Sequence, residues 1–107
     1  MSGVDIDAND LAMQIDRNIP PLILDVRSAV EFNAGHVPGA RHMPFWAVPF
    51  RANELGARDR TIVVYCGHGP RAQLAAGTLR ARGFTNVRLL CHHMAGWRRA
   101  GLPIDRG

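Results

Sequence analysis

One cysteine in this 107-residue chain is followed by a short glycine-rich loop and an arginine, a spacing that suits nucleophilic chemistry. Cys66 follows the apolar run 62–65, and residues 67–71 read G-H-G-P-R. A thiol is a strong nucleophile only as the thiolate, and helix N-termini and nearby cations lower the pKa of a thiol. The two glycines let successive backbone N–H groups turn toward an anion, and Arg71 adds a permanent positive charge. The pattern predicts an activated thiolate at Cys66, with a small apolar core side chain as the plainer alternative.

The residues on either side of this loop predict the elements that position it. The β-branched run 62–65 is typical of a buried strand. Pro70 suits the first position of a helix, which we expect over 71–82. Gly83 is a good C-terminal stop for that helix. Its buried face is predicted to consist of small and apolar residues, namely Ala72, Ala75, Ala76 and Leu79.

Short strands alternate with short helices along the rest of the chain, which is the pattern of a parallel sheet covered on both faces. We expect further strands at 22–24, 41–43 and 87–90, and helices around 11–15, at 29–34 and at 94–100. A capping box formed by Ser28 and Glu31 predicts the start of the second helix. An irregular helix or loop is expected over 45–50, and a polar, exposed stretch over 51–60. Asp25, Cys66 and Cys91 then lie at the carboxyl ends of strands, along the edge of the sheet where ligands gather.

Length and composition indicate one domain spanning residues 1–107, with a core of about 7–104. The chain is 47% hydrophobic and 21% charged, and it has no apolar run long enough to span a membrane. Its first residues are acidic rather than a basic signal segment, so we expect a cytoplasmic protein, as a monomer. Two cysteines, Cys66 and Cys91, do not make a disulfide framework and favour a reducing compartment.

The formal net charge is +4, and every cationic residue is an arginine. The arginines are scattered along the chain and are not interleaved with aromatic residues, which argues against nucleic acid as a partner. A small anion or an acidic protein is the partner that this charge favours.

Three segments resemble the single-domain rhodanese (thiosulfate sulfurtransferase-like) family. They are residues 22–40 (LILDVRSAVEFNAGHVPGA), 63–71 (VVYCGHGPR) and 94–103 (MAGWRRAGLP). The resemblance covers the chain from about residue 11 to residue 104, with the motifs in the family's order and spacing. It implies a rhodanese-like α/β fold with a five-stranded parallel sheet and helices on both faces. It also implies sulfurtransferase chemistry that uses neither a cofactor nor a metal.

The resemblance assigns roles residue by residue. Cys66 matches the cysteine that forms a persulfide, and the loop Gly67, His68, Gly69, Pro70 and Arg71 matches the segment whose amides surround the outer sulfur. Asp25, Arg27 and Glu31 match a segment from which we expect polar contacts that brace the loop. Capping and surface ion pairing are the alternative for these three residues, and we favour that alternative for Glu31. His36 matches a turn in which a structural histidine is expected.

The loop length separates two chemistries. Cys66 and Arg71 have the spacing C-x4-R, whereas related phosphatases and arsenate reductases have C-x5-R. A shorter ring of amides fits one sulfur atom better than a tetrahedral oxyanion. We therefore expect sulfur from thiosulfate or a persulfide donor to pass through a Cys66 persulfide to a thiol or cyanide acceptor. A non-catalytic partner-binding module is the first alternative, and a small phosphatase or arsenate reductase is the second.

Two features depart from the family pattern. His68 is the only additional basic side chain in the loop, so thiosulfate is expected to be a poor donor and a low-molecular-weight or protein-borne persulfide a better one. Cys91, His92 and His93 stand where the family has an acidic residue and two glycines, and we expect them to narrow the entrance. Cys91 is then a structural thiol, a resolving thiol for Cys66, or a metal ligand with nearby histidines, although these spacings are not typical of zinc sites.

Overall fold

Four parallel strands run through the centre of the protein in the order β2-β1-β3-β4. They are β1 (Leu22–Asp25), β2 (Arg41–His42), β3 (Ile62–Tyr65) and β4 (Val87–Leu89). The structure is a computed structural model that describes residues 5–107. Leu22 pairs with Ile62, and Ile62 pairs with Val87, so the three longer strands begin in register and end at one edge of the sheet.

The sheet has four strands in the described residues, not the five that the family resemblance implies. Ile6 lies beside β4 at the place of a fifth strand and forms a single bridge with Leu90. Its N–H donates to the Leu89 carbonyl and its carbonyl accepts from the Cys91 N–H, each at 2.9 Å. Asp7 is already the N-cap of the first helix, so the chain turns away from the sheet edge directly after Ile6.

Helices cover both faces of the sheet, as the alternating pattern predicts. They are α1 (Ala8–Asp16), α2 (Ala29–Ala34), α3 (Val48–Arg51), α4 (Pro70–Ala81) and α5 (His93–Arg99). Successive strand residues point to opposite faces. Leu24 and Val64 therefore join one apolar cluster with Leu79 of α4, while Ile23 and Val63 join another that includes α1 and α5. In residues 5–107, no helix has the length and apolar character needed to cross a membrane.

Local sequence signals account for the helix boundaries next to the site. Ser28 and Glu31 form the predicted capping box at the start of α2, and Pro70 is the first residue of α4. The predicted exposure of residues 51–60 is wrong in part. A 3₁₀ turn (Ala52–Leu55) lies within this stretch, and Ala52 and Leu55 are buried in the core.

Candidate active site

Cys66 begins the loop between β3 and α4, and its side chain is fully buried. The N–H of Gly69 donates to the Cys66 sulfur at an N–S distance of 3.0 Å. Gly69 has φ +138°, a conformation that residues with a β-carbon rarely adopt. Glycine at this position therefore lets the backbone turn its N–H back onto the sulfur three residues earlier.

The start of α5 binds the outer side of the loop. The N–H of Met94 donates to the Cys66 carbonyl at 2.9 Å, and the N–H of Ala95 donates to the Gly67 carbonyl at 3.2 Å. In a trans peptide the N–H points away from the carbonyl, so the N–H groups of Gly67 and His68 face away from α5. Neither group donates a hydrogen bond to any residue of the described chain.

Helix α4 adds its N-terminus to this arrangement. It has 12 residues, begins directly after Gly69, and leaves the Arg71 N–H without an acceptor among residues 5–107. The first N–H groups of a helix carry a partial positive charge that favours an adjacent anion. The loop therefore combines one N–H on the sulfur with unpaired N–H groups and a helix N-terminus, which is a suitable setting for a thiolate or a terminal persulfide sulfur.

The Arg71 side chain pairs with Glu31 rather than extending into solvent. Its two terminal nitrogens donate to the two carboxylate oxygens of Glu31 at 2.7 and 3.1 Å. The guanidinium covers Gly67, because one nitrogen lies 3.3 Å from the position that a β-carbon at residue 67 would take. Glu31 thus combines the expected capping and ion pairing with a contact to the loop. Its Arg71 partner lowers the pKa of the Glu31 carboxyl to about 2.

Asp25 and Arg27 form a buried ion pair at 2.8 Å. Neither side chain forms a hydrogen bond with residues 66–71 in the described part of the chain. Arg27 instead donates to the Gly35 carbonyl at 2.7 Å, and its guanidinium carbon lies 5.6 Å from the centre of the Tyr65 ring. The pair therefore lies beside the ring of Tyr65, the residue before Cys66.

Tyr65 and His36 complete this support. The Tyr65 hydroxyl accepts a hydrogen bond from the Val37 N–H at 3.0 Å, and burial and the charge of Asp25 raise the pKa of that hydroxyl. His36 Nδ1 lies 2.8 Å from the Phe32 carbonyl, and the two rings stack with their centres 3.7 Å apart. These contacts give His36 the structural position expected for it, away from the Cys66 sulfur.

Cys91 and His92 face a different part of the surface. They line a cavity of about 450 Å³ together with Asp7 and Arg99, and none of the residues 66–71 contributes to its wall. Burial, and next the nearby Asp7 carboxylate, raise the pKa of the Cys91 thiol. A thiol that resists deprotonation is a poor attacking group, which disfavours the resolving role. Residues 5–107 contain no group of three or more His, Cys, Asp or Glu side chains arranged to bind a metal ion.

His93 lies against the loop rather than at an entrance. Its ring is buried, and its Nδ1 accepts a hydrogen bond from the Cys66 backbone N–H at 3.3 Å. The sequence places His93 near the site but does not reveal this contact. Both His92 and His93 adopt left-handed backbone conformations, with φ +62° and +54°. That conformation is uncommon for residues with a side chain, and here it directs consecutive histidines to different surroundings.

Comparisons with known proteins show which family this chain belongs to. A model of the family described as Rhodanese-like domain matches residues 7–100. A protein of Allochromatium vinosum named as a sulfurtransferase is 32% identical over 100 residues, covering 94% of this chain and 92% of that protein. The thiosulfate sulfurtransferase GlpE of Haemophilus influenzae is 33% identical, covering 78% of this chain and 79% of its own length.

Two further relatives extend the comparison. YrkF of Bacillus subtilis, whose name describes it as a candidate sulfur carrier protein, is 34% identical over 87% of this chain, which spans half of its length. A crystal structure of the Alr3790 protein from Anabaena sp. superimposes with a TM-score of 0.86 at 32% identity. The superposition covers 94% of this chain and 91% of the Alr3790 chain.

Proposed function

This chain belongs to the rhodanese-like domain family, and from that premise we propose that it is a sulfurtransferase that carries sulfur as a persulfide on Cys66. The observation that carries the proposal is the hydrogen bond of 3.0 Å from the Gly69 N–H to the Cys66 sulfur. This N–H group points at the sulfur atom that the proposal makes the carrier of the transferred sulfur. The unpaired N–H groups of Gly67, His68 and Arg71 are suited to stabilise negative charge on a second sulfur bound to the first.

The reaction proceeds in two displacement steps. In the first, the Cys66 thiolate attacks the outer sulfur of the donor, and a new S–S bond forms at Cys66. The donor's own bond to that sulfur breaks, and its electron pair leaves with sulfite from thiosulfate, or with a thiolate from a persulfide. In the second, a thiolate or cyanide acceptor attacks the outer sulfur and Cys66 returns to the thiolate.

The charge near the loop favours a persulfide donor over thiosulfate. Arg71 is the permanent cation of the loop, and Glu31 already compensates its charge through two hydrogen bonds. Thiosulfate carries two negative charges, and the pairing of Arg71 with Glu31 weakens the electrostatic attraction between the loop and this dianion. A singly charged persulfide on a small molecule or a protein depends less on that attraction.

A protein-borne donor or acceptor also suits the surface beside the site. Leu74 is exposed on α4, and Trp46 and Phe50 are exposed on the segment that contains α3. Helix α3 packs against α4. Large apolar side chains that are exposed close together are typical of surfaces that contact other proteins. The free thiols of Cys66 and Cys91 suit the reducing conditions of the cytoplasm, where we place the reaction.

The burial of Cys66 adds one requirement. Its side chain has no exposed surface, whereas His68 and Pro70 are exposed. A donor therefore reaches the sulfur only when the residues that cover it give way. Loop motions of this kind are fast on the time scale of ordinary turnover.

The test is to incubate the protein with thiosulfate or a glutathione persulfide and to measure the intact mass. We expect one added sulfur, its removal by cyanide as thiocyanate, and neither result with Cys66→Ser. Cys91→Ser is the matched control and should gain sulfur as the natural chain does. Sulfur retained by Cys66→Ser, or no sulfur taken up from either donor by the natural chain, would show that the proposal is wrong. The second outcome would favour a non-catalytic module.

A further inference from the structure

His93 contacts the loop at two places. Its Nδ1 accepts from the Cys66 backbone N–H, and its Nε2 lies 3.4 Å from the position that a β-carbon on Gly69 would take. Cys66 and Gly69 are the two residues joined by the N–H to sulfur hydrogen bond. One imidazole ring therefore lies against both ends of the turn that holds the sulfur.

The hydrogen bond to Cys66 fixes the protonation state of the ring. A backbone N–H can only donate, so Nδ1 must present its lone pair and the proton of the neutral ring is on Nε2. An imidazolium has a proton on both nitrogens and cannot accept this bond. The Cys66 carbonyl is held separately by the Met94 N–H, and that bond is independent of pH.

The surroundings of the ring favour its neutral form. Burial lowers the pKa of His93, and so do the neighbouring His92, which is the N-cap of α5, and His68 of the loop. The carboxylate of Asp5, in the segment before α1, acts in the opposite direction. His93 is thus neutral at neutral pH, when the Cys66 amide needs an acceptor.

We propose that His93 is a positioning residue for the sulfur-transfer site, whose neutral ring holds the Cys66 amide and whose protonation in acid releases it. The inference rests on the proposed function for its consequence in sulfur transfer, but the contact itself can be tested without that reaction.

The direct test is an NMR titration of the isotopically labelled protein. We expect the Cys66 amide resonance to shift with the same midpoint as the His93 ring. His92→Asn is the matched control, because His92 also has a left-handed backbone but is exposed, and this variant should keep the titration of the Cys66 amide. An amide resonance that does not follow the His93 ring would overturn the proposal, whether or not the protein transfers sulfur.

Two substitutions test the consequence for the reaction. His93→Asn places an amide oxygen where Nδ1 lies, accepts the same bond, does not titrate and tolerates a left-handed backbone. His93→Leu removes the acceptor. At neutral pH we expect single-turnover persulfide formation by His93→Asn to stay close to that of the natural chain, and by His93→Leu to be about tenfold slower.

The pH dependence separates positioning from packing. Below the midpoint measured for the His93 ring, the rate of His93→Asn relative to the natural chain should rise from about one to about ten. A ratio that stays constant with pH would contradict the proposal. Persulfide absent from the natural chain at every pH would instead refute the proposed function, and the NMR titration would still decide the role of His93.

Discussion

The carboxylate of Glu31 binds two distant parts of the chain at once. It accepts hydrogen bonds from the Ser28 N–H and hydroxyl at 3.1 and 2.9 Å. It also accepts both bonds from Arg71, which follows 40 positions later. The start of α2 and the loop after Cys66 are therefore connected through one side chain.

Glu31→Gln should make the protein's stability less dependent on acid. Arg71 lowers the pKa of Glu31 to about 2 from an ordinary value of 4.5. The folded state thus binds fewer protons than the unfolded state, and the stabilisation present above pH 4.5 is lost as the pH falls toward 2. Solvent screening limits this contribution to about 1 kcal/mol, since the two side chains are 33% and 38% exposed. Urea denaturation at a series of pH values measures the change.

Glu54→Gln is the control for this prediction. Glu54 also pairs with arginines, Arg41 and Arg51, but all three side chains are exposed to 40% or more. We expect a smaller change in the acid dependence than for Glu31→Gln. Glutamine at residue 31 keeps the capping box, so the comparison isolates the charge. Equal effects of the two substitutions would contradict the importance given to the Arg71 contact.

Asp25→Asn should destabilise the protein strongly. The Asp25 carboxylate is fully buried and binds Arg27, which is 5% exposed. Removing one charge leaves the other buried without a partner, which costs about 3–5 kcal/mol. Urea unfolding measures the loss of free energy. The double variant Asp25→Leu with Arg27→Met should be more stable than Asp25→Leu alone, and the opposite order would show that the charge itself is not the cause.

At the scale of elements, two glycines near or within α4 should respond in opposite ways to alanine. Gly69→Ala places a β-carbon on a backbone with φ +138°, at a strain of about 1–3 kcal/mol, and should impair persulfide formation. Gly77→Ala lies on an exposed part of the same helix with open space around it, and should stabilise by about 0.5–1 kcal/mol. Thermal unfolding and persulfide formation by intact mass measure both. A neutral Gly69→Ala would contradict the role given to that turn.

The elements that follow from local chemistry were predictable from the sequence. The capping box of Ser28 and Glu31 predicts the start of α2 from four consecutive residues. Pro70 predicts the start of α4, directly after the loop that follows Cys66. The strand 62–65 was equally predictable, because a continuous run of apolar, mostly β-branched residues is typical of a strand that is buried on both faces. Each of these signals depends on residues that are neighbours in the chain.

The remaining features depend on contacts between distant residues. Nothing near Glu31 indicates its pairing with Arg71, and nothing near His93 indicates that its ring reaches Cys66. At the place of a fifth strand, the described residues 5–107 form one bridge, at Ile6, and the N-cap of α1 follows at once. These features are settled by packing, which a pattern of residue types does not specify.

At the scale of the whole molecule, the two apolar clusters lie on opposite faces of one sheet. Leu11 of α1 belongs to one and Leu79 of α4 to the other, and both are fully buried. Leu11→Ala and Leu79→Ala should each destabilise by about 2–5 kcal/mol. Because adjacent residues of β1 and β3 contribute to both clusters, we expect a single unfolding transition in each variant. Circular dichroism and tryptophan fluorescence should give the same urea midpoint, and separate midpoints would show that the two faces unfold independently.

The shared carboxylate of Glu31 has a consequence for how this chain can change over generations. A mutation at Glu31 alters the surroundings of both Ser28 and Arg71, so we expect changes at these three positions to depend on one another. A lineage that replaces the acid leaves an arginine in need of a different counter-ion. Substitutions at these positions should therefore co-vary among related sequences, because Glu31 links the start of α2 to the loop that follows Cys66.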